Sequence, residues 1–154
     1  MKTGLLYLFP NLKFLFIAVI AVGVFSQPAF ALNAKTASKI YTKIFKAMLD
    51  KDRIYVYVEN EKYMGIFNYT DSMEYAANKE NSDIILVTTK EELSMDDSKI
   101  FFTTEIALME QHDNILGAFY WDHGRPKIIF IKDRLEKHNI KLHKSFQKYI
   151  QEGT

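Results

Sequence analysis

The sequence predicts a single α/β domain: a mixed, mostly parallel sheet with flanking helices and an antiparallel hairpin near the C-terminus. Three observations predict it. Short β-prone runs (54–58, 84–89, 100–104) are separated by helical stretches of about ten residues, the rhythm of strands joined by crossovers. Two further runs, Ile115 to Trp121 and Lys127 to Ile131, flank a short turn carrying Gly124 and Pro126, which is a hairpin signal. The stretch Ile128-Ile129-Phe130-Ile131 is too continuously apolar for a strand with one wet face, so it belongs near the middle of a sheet covered on both sides.

Residues 1–31 are set apart from that domain as a signal peptide. Lys2 and Lys13 give a basic start, Phe14 to Phe25 is an apolar run, and Ala29-Phe30-Ala31 is a small-x-small cleavage site with Ala29 and Ala31 as its small residues. The run covers about 18 Å as a helix, short of the roughly 30 Å of a hydrocarbon core. A cleaved leader is therefore expected, with an uncleaved anchor as the alternative. Residues 32–154 then form one exported domain, enough for one modest core.

The leader takes two lysines and no acid with it, so the formal net charge moves from +1 to −1. Neither a nucleic-acid stripe nor a polyacidic tail follows from that balance. The chain has no cysteine, which excludes disulfides, thiol catalysis and thiolate metal sites. An exported domain without disulfides relies on packing, here supplied by its many Phe and Tyr residues. The periplasm is the expected compartment.

The elements follow in order. Leu32 to Ala37 is expected to be a mobile N-terminus. From Ser38 the residues Ile40, Tyr41, Ile44, Phe45, Met48 and Leu49 recur at helical spacing, with Ser38 or Thr36 as cap and Asp50-Lys51-Asp52 as stop. Ile54 to Val58 is a strand with Ile/Val on the core face and Tyr55 and Tyr57 on the other. Asn60 to Asn68 forms a short helix through Tyr63, Met64 and Phe67. Thr70 to Ala77 fits a strand slightly better than a helix. Asp83 to Thr89 is the clearest buried strand, Lys90 to Ser98 a charged connection, and Lys99 to Thr104 a further strand. Glu105 to Gln111 is a short helix. After the hairpin comes a helix from Lys132 through Leu135 to His138, then an amphipathic segment from Leu142 to Ile150.

Two groups of residues are candidates for function. Thr88 and Thr89 close one strand and Thr103 and Thr104 close the next, and ligands of open α/β sheets bind beyond such carboxyl ends. The same threonines serve equally well as β-prone caps. The second group is Trp121, Asp122, His123 and Arg125, which combine the only tryptophan, a titratable histidine and an arginine on one turn. Such a tip is either the anchor of a protein contact or ligand pocket, or a closed core edge with a solvated arginine. His138 and His143 are five apart and do not share a helix face, so no metal is expected. No nucleophile elbow, phosphate loop or carboxylate pair is present, and neither catalysis nor a cofactor is expected.

With the order of elements in hand, the chain resembles the YfiR/HmsC-type periplasmic regulators and, more distantly, half of a periplasmic solute-binding protein. The likeness covers roughly residues 36–150 and rests on the opening helix, the strands at Ile54–Val58 and Asp83–Val87, and Ile115-Leu116-Gly117 before an aromatic strand. It continues through Lys127–Ile131 leading directly into a helix, and Asn139-Ile140-Lys141-Leu142 before the final apolar segment. The chain departs from that family in lacking cysteine, in carrying Gly117-Ala118 in place of paired glycines, and in Lys132-Asp133 where an asparagine is expected. The resemblance implies a non-catalytic exported module that binds the outer domain of a membrane signalling protein, often one making a cyclic dinucleotide, and restrains it. The alternative is a small-solute or anion-binding protein linked to a transporter or sensor, using the strand-end threonines with Arg125 or Arg134.

Overall fold

The computed structural model describes residues 29–90 and 98–153, with side chains from residue 34 onward. Residues 33–90 and 98–153 belong to one compact unit, and residues 1–28 of the predicted leader lie outside the described residues. The central part of the Lys90 to Ser98 connection lies outside them too.

Helix α1 spans Ala29–Leu49. It begins well before Ser38, so Leu32 to Ala37 is helical and neither Thr36 nor Ser38 is a cap. Ala34 is buried, Ala37 half-buried, and Lys35, Thr36 and Lys39 are exposed, which carries the apolar stripe of Tyr41, Ile44, Phe45 and Met48 about two turns further back. Alanine is the best helix former and needs no large side chain to continue such a stripe where the neighbour is close. That neighbour includes Gly65, where an added Cβ would stand 3.7 Å from the Cβ of Ala34. Ala29 and Ala31, the predicted cleavage residues, fall in the first turn of α1. Asp50 then takes a left-handed conformation (φ 48°) and turns the chain into β1.

Seven strands follow: β1 Ile54–Tyr57, β2 Met73–Tyr75, β3 Ile84–Val87, β4 Phe101–Thr103, β5 Ile115–Asp122, β6 Arg125–Ile131 and β7 Ile150–Gln151. They lie in the order β2-β1-β3-β4-β5-β6-β7. The first five run parallel, β5 and β6 pair antiparallel, and β7 is parallel to β6. A 3-10 segment, Glu61–Tyr69, joins β1 to β2 and is capped by the Asn60 side chain, which accepts from the amide of Lys62. Helix α2 (Ile106–Gln111) joins β4 to β5, and α3 (Lys132–Lys137) follows β6. This is the α/β class that the strand and helix rhythm predicts. Among the described residues no helix is long and apolar enough to cross a membrane.

One face of the sheet packs on α1 and two 3-10 segments, Glu61–Tyr69 and Lys144–Tyr149. Its core holds Tyr41, Phe45, Ile54, Val56, Leu86, Phe102, Leu116, Phe119 and Phe130. The Tyr41 ring meets those of Phe45, Phe102 and Phe119 at centroid distances of 5.5, 6.4 and 5.0 Å. The opposite face packs Ile85, Val87, Phe101, Ala118, Ile129 and Ile131 against Leu108 and Met109 of α2. Each such buried side chain is worth about 1.5–3 kcal/mol of transfer free energy, so packing alone can hold a domain without disulfides.

Two of these expectations change. The run Ile128–Ile131 is covered on both faces, with Phe130 in one core and Ile129 and Ile131 in the other, but β6 is the penultimate strand and not a middle one. Apolar continuity reports what lies above and below a strand; it does not report how many strands lie beside it. Pro126 belongs to β6, opposite Trp121, and the turn consists of His123 (φ 48°) and Gly124 (φ 75°). Within the amphipathic segment Leu142 to Ile150, Lys144–Tyr149 is a 3-10 segment, and Ile150 opens β7 beside Phe130.

Burial pushes the Tyr41 phenol well above its ordinary value of 10.0, helped by the neighbouring Tyr63. Below the unfolded-state value the phenol is neutral in both states, and the stability from its burial is fully present. As pH rises through the folded-state value that stability is lost, because the unfolded chain releases a proton the fold retains. The native protein should therefore unfold at lower urea concentration above about pH 10, and Tyr41→Phe should flatten the alkaline limb.

Ser38 is fully buried and its hydroxyl has no hydrogen-bond partner among the described residues, while its carbonyl accepts from Thr42 Oγ1 at 2.8 Å. Ser38→Ala keeps that backbone bond and deletes only the stranded hydroxyl. It should raise stability by about 1 kcal/mol in the same denaturation assay.

Candidate functional site

The carboxyl ends of β1, β3, β4 and β5 share one edge of the sheet, because these strands are parallel. The chain passes from β1 to β2 on one side of β1 and returns to β3 on the other, so the topological switch point lies between β1 and β3. Thr88 and Thr89 stand at that point, just beyond β3. Thr103 and Thr104 stand one strand away, at the end of β4. The structure thus gathers the four threonines along one edge.

Their hydroxyls have different surroundings. Thr103 is fully buried: its Oγ1 donates to the carbonyl of Val87 at 2.9 Å and accepts from the amide of Glu105 at 3.2 Å, tying β4 to β3 and opening α2. Thr88 is buried and Thr89 exposed. The Oγ1 of Thr104 is shut from solvent and has no hydrogen-bond partner among the described residues. What sequence reasoning missed at this edge is an aromatic group. Tyr57 ends β1 and stacks on Tyr75 at 6.5 Å, Phe67 meets Tyr75 at 5.9 Å, and Lys79 lies over Tyr57 at 5.7 Å. The alternation of Tyr55 and Tyr57 marked that face of β1, but strand order was needed to put Tyr75 beside it.

The hairpin carries the second group further out. The ladder between β4 and β5 ends at Thr103 opposite Ala118, while β5 and β6 stay paired up to Asp122 opposite Arg125. Positive φ at both central residues is the two-residue turn whose twist matches its strands, which makes the projection stiff. Trp121 is 44% exposed. Its ring lies 5.8 Å from Phe119, which in turn touches Tyr41, so an open aromatic surface is tied to the core through a chain of rings. Asp122 Oδ1 and His123 Nδ1 are 2.6 Å apart, with the histidine side chain 95% exposed. Arg125, Pro126 and Lys127 are exposed, and among the described residues neither Arg125 nor Lys127 forms a salt bridge.

Arg134 lies at the opposite end. Its Nη1 donates to the carbonyls of Met109, His112 and Ile115 at 2.8–2.9 Å, and Nη2 to Asp113 Oδ1 at 3.2 Å. Burial lowers its pKa from the ordinary value and Asp113 partly restores it. The guanidinium holds the exit of α2 against the start of β5, far along the strand from the threonines and the hairpin tip. His143, similarly, is a local cap: its Nδ1 accepts from the amide of Ser145 and lies 2.8 Å from that serine's Oγ, in the open.

This geometry defines an α/β domain with a crowded carboxyl edge and a stiff, protruding, aromatic and cationic hairpin. No family model and no curated protein matches the chain. Among solved structures it is similar to a conserved domain protein from Vibrio cholerae O1 biovar El Tor strain N16961, with a TM-score of 0.50 and 9% identity over 76% of this chain. The match spans 60% of the length of that structure, and at this identity it concerns the fold alone.

Proposed function

We propose that the domain is an exported, non-catalytic interaction module that docks a protein partner through the tip Trp121–Arg125, the partner being the outer domain of a membrane signalling protein that it regulates. The observation carrying this reading is the 44% exposure of Trp121 on a hairpin anchored in the core. A tryptophan on one face of a stiff hairpin and an arginine on the other bind with little conformational entropy to lose, and such residues dominate protein interfaces. The acid–base contact at the tip, Asp122 with His123, lies in open solvent, whereas general acid–base chemistry uses a dry pocket. The resemblance to YfiR/HmsC-type regulators supports a periplasmic location and restraint of a membrane protein as the role.

The test is cross-linking in cells with a photoreactive residue at position 121 or, as control, at His138. A membrane-protein adduct is expected from position 121 only, and Arg125→Ala should reduce it several-fold. Equal adducts from both positions would remove the tip from the reading.

A further inference from the structure

We infer that the partner contributes an extended segment of alternating apolar and acidic residues, which adds as a strand along the free edge of β5 at the tip. This inference rests on the docking reading above and specifies its mode. In a two-residue hairpin the closing pair, Asp122 with Arg125, is hydrogen-bonded, and bonded pairs alternate with non-bonded ones. The pair Trp121 with Pro126 is therefore non-bonded, and the peptide groups of both residues point out of the hairpin. On the β6 side that outward position holds Pro126, which has no N–H to offer, so this edge is blunted above the short pairing with β7. On the β5 side it holds Trp121, whose N–H and C=O are both able to pair. The ladder with β4 has already ended at Thr103 and Ala118, and among the described residues no strand lies beside β5 above that point. One edge of the tip is closed by chemistry, and among the described residues the other is open.

The two faces of the tip select the side chains of the added strand. Phe119, Trp121 and Pro126 share one face, so every second residue of the segment meets an apolar surface. Tyr120, Lys127, Asp122 and Arg125 share the other. There Arg125 and Lys127 are exposed and lack salt bridges among the described residues, while the one acid, Asp122, is held by His123. Acidic residues in the intervening positions complement that surplus of positive charge. Strand addition supplies affinity through main-chain bonds and selectivity through alternate side chains, and it needs no deep pocket.

The test uses synthetic peptides against the uniformly 15N-labelled full chain. The probes are twelve-residue peptides alternating Val with Glu, alternating Val with Lys, and two forms of the Val/Glu peptide N-methylated on every Val or on every Glu. The Val/Glu peptide should shift the amide resonances of residues 119–122 and slow exchange at Trp121, and the Val/Lys peptide should not. One N-methylated form, blocked on its edge-facing amides, should bind at least about tenfold more weakly, since each lost main-chain bond costs up to a factor of ten. The other should bind like the parent. No shift at 119–122 with any peptide, or equal binding by both N-methylated forms, overturns strand addition. If cross-linking from position 121 still depends on Arg125 in that case, the docking reading stands and only its mode fails.

Discussion

Gly117→Ala is expected to destabilise the domain by about 3 kcal/mol, near the upper end for overpacking a core, and to lower its melting temperature by about 10 °C. A Cβ at this position would stand 2.5 Å from the carbonyl oxygen of Ile129, 2.9 Å from Phe130 Cδ1 and 3.0 Å from Phe102 Cε2. The first of these is backbone in the paired strand, so no rotamer change relieves it. The position arises from a bulge. Phe101 pairs with Ile115 but Phe102 pairs with Gly117, leaving Leu116 as an extra residue in β5. The alternation of β5 slips there, so Leu116 and Phe119 face the α1 core while Ile115 and Ala118 face the α2 core. Gly117 lies where Phe102 and Phe130 close over the strand, their rings 5.8 Å apart. Gly153→Ala is the matched control. There the nearest atom is the end of the flexible Asp133 side chain at 2.9 Å, and the change should stay within about 0.5 kcal/mol. Urea melts of both variants decide it; a loss below 1 kcal/mol for Gly117→Ala would mean that β5 and β6 separate more easily than this packing implies.

Arg134→Ala should be of similar size, a loss of about 3–4 kcal/mol, because three carbonyls lose a charged donor at once and bonds to charged groups are worth about 1.5–3 kcal/mol each without being additive. The Asp113 carboxylate adds little, since its side chain is fully exposed and water screens the pair. Asp113→Ala should therefore change stability by less than about 0.5 kcal/mol, and added salt should barely affect the Arg134 contribution. Arg134→Lys should recover only part of the loss, as one ammonium cannot span the three carbonyls with the planar geometry of a guanidinium. Hydrogen exchange gives a second measurement: amides of Ile106–Gln111 and at the start of β5 should lose protection in Arg134→Ala. Unchanged protection there would show that the α2 exit is held by its apolar contacts alone.

The helix, the strands and the hairpin were legible wherever large side chains keep a period. Ile44, Phe45 and Met48 announce the core face of α1, and Ile54 and Val56 that of β1. Legibility failed where the period is carried by small residues or set by a partner. Ala34 and Ala37 extend α1 without any large side chain to signal it. Tyr149 and Ile150 read as the end of one amphipathic segment, yet Ile150 pairs with Phe130 because β6 leaves that edge free. At the candidate site, the sequence supplied the strand-end threonines and the Trp121–Arg125 turn. Their sorting into a buried tie (Thr103), a stranded hydroxyl (Thr104) and an open tip came from neighbours distant in sequence. Arg134 is the clearest case: nothing local marks it as the residue that gathers Met109, His112 and Ile115.

The sequence by itself determined an α/β chain with a stiff aromatic hairpin, because apolar period, turn residues and β-branching act over a few neighbouring positions. Only the tertiary structure decided the strand order, the slip at Leu116, the exposure of Trp121 and which edge of its hairpin is open. Those depend on which backbone and side chains meet across the sheet, and that is fixed by closing contacts between segments far apart along the chain.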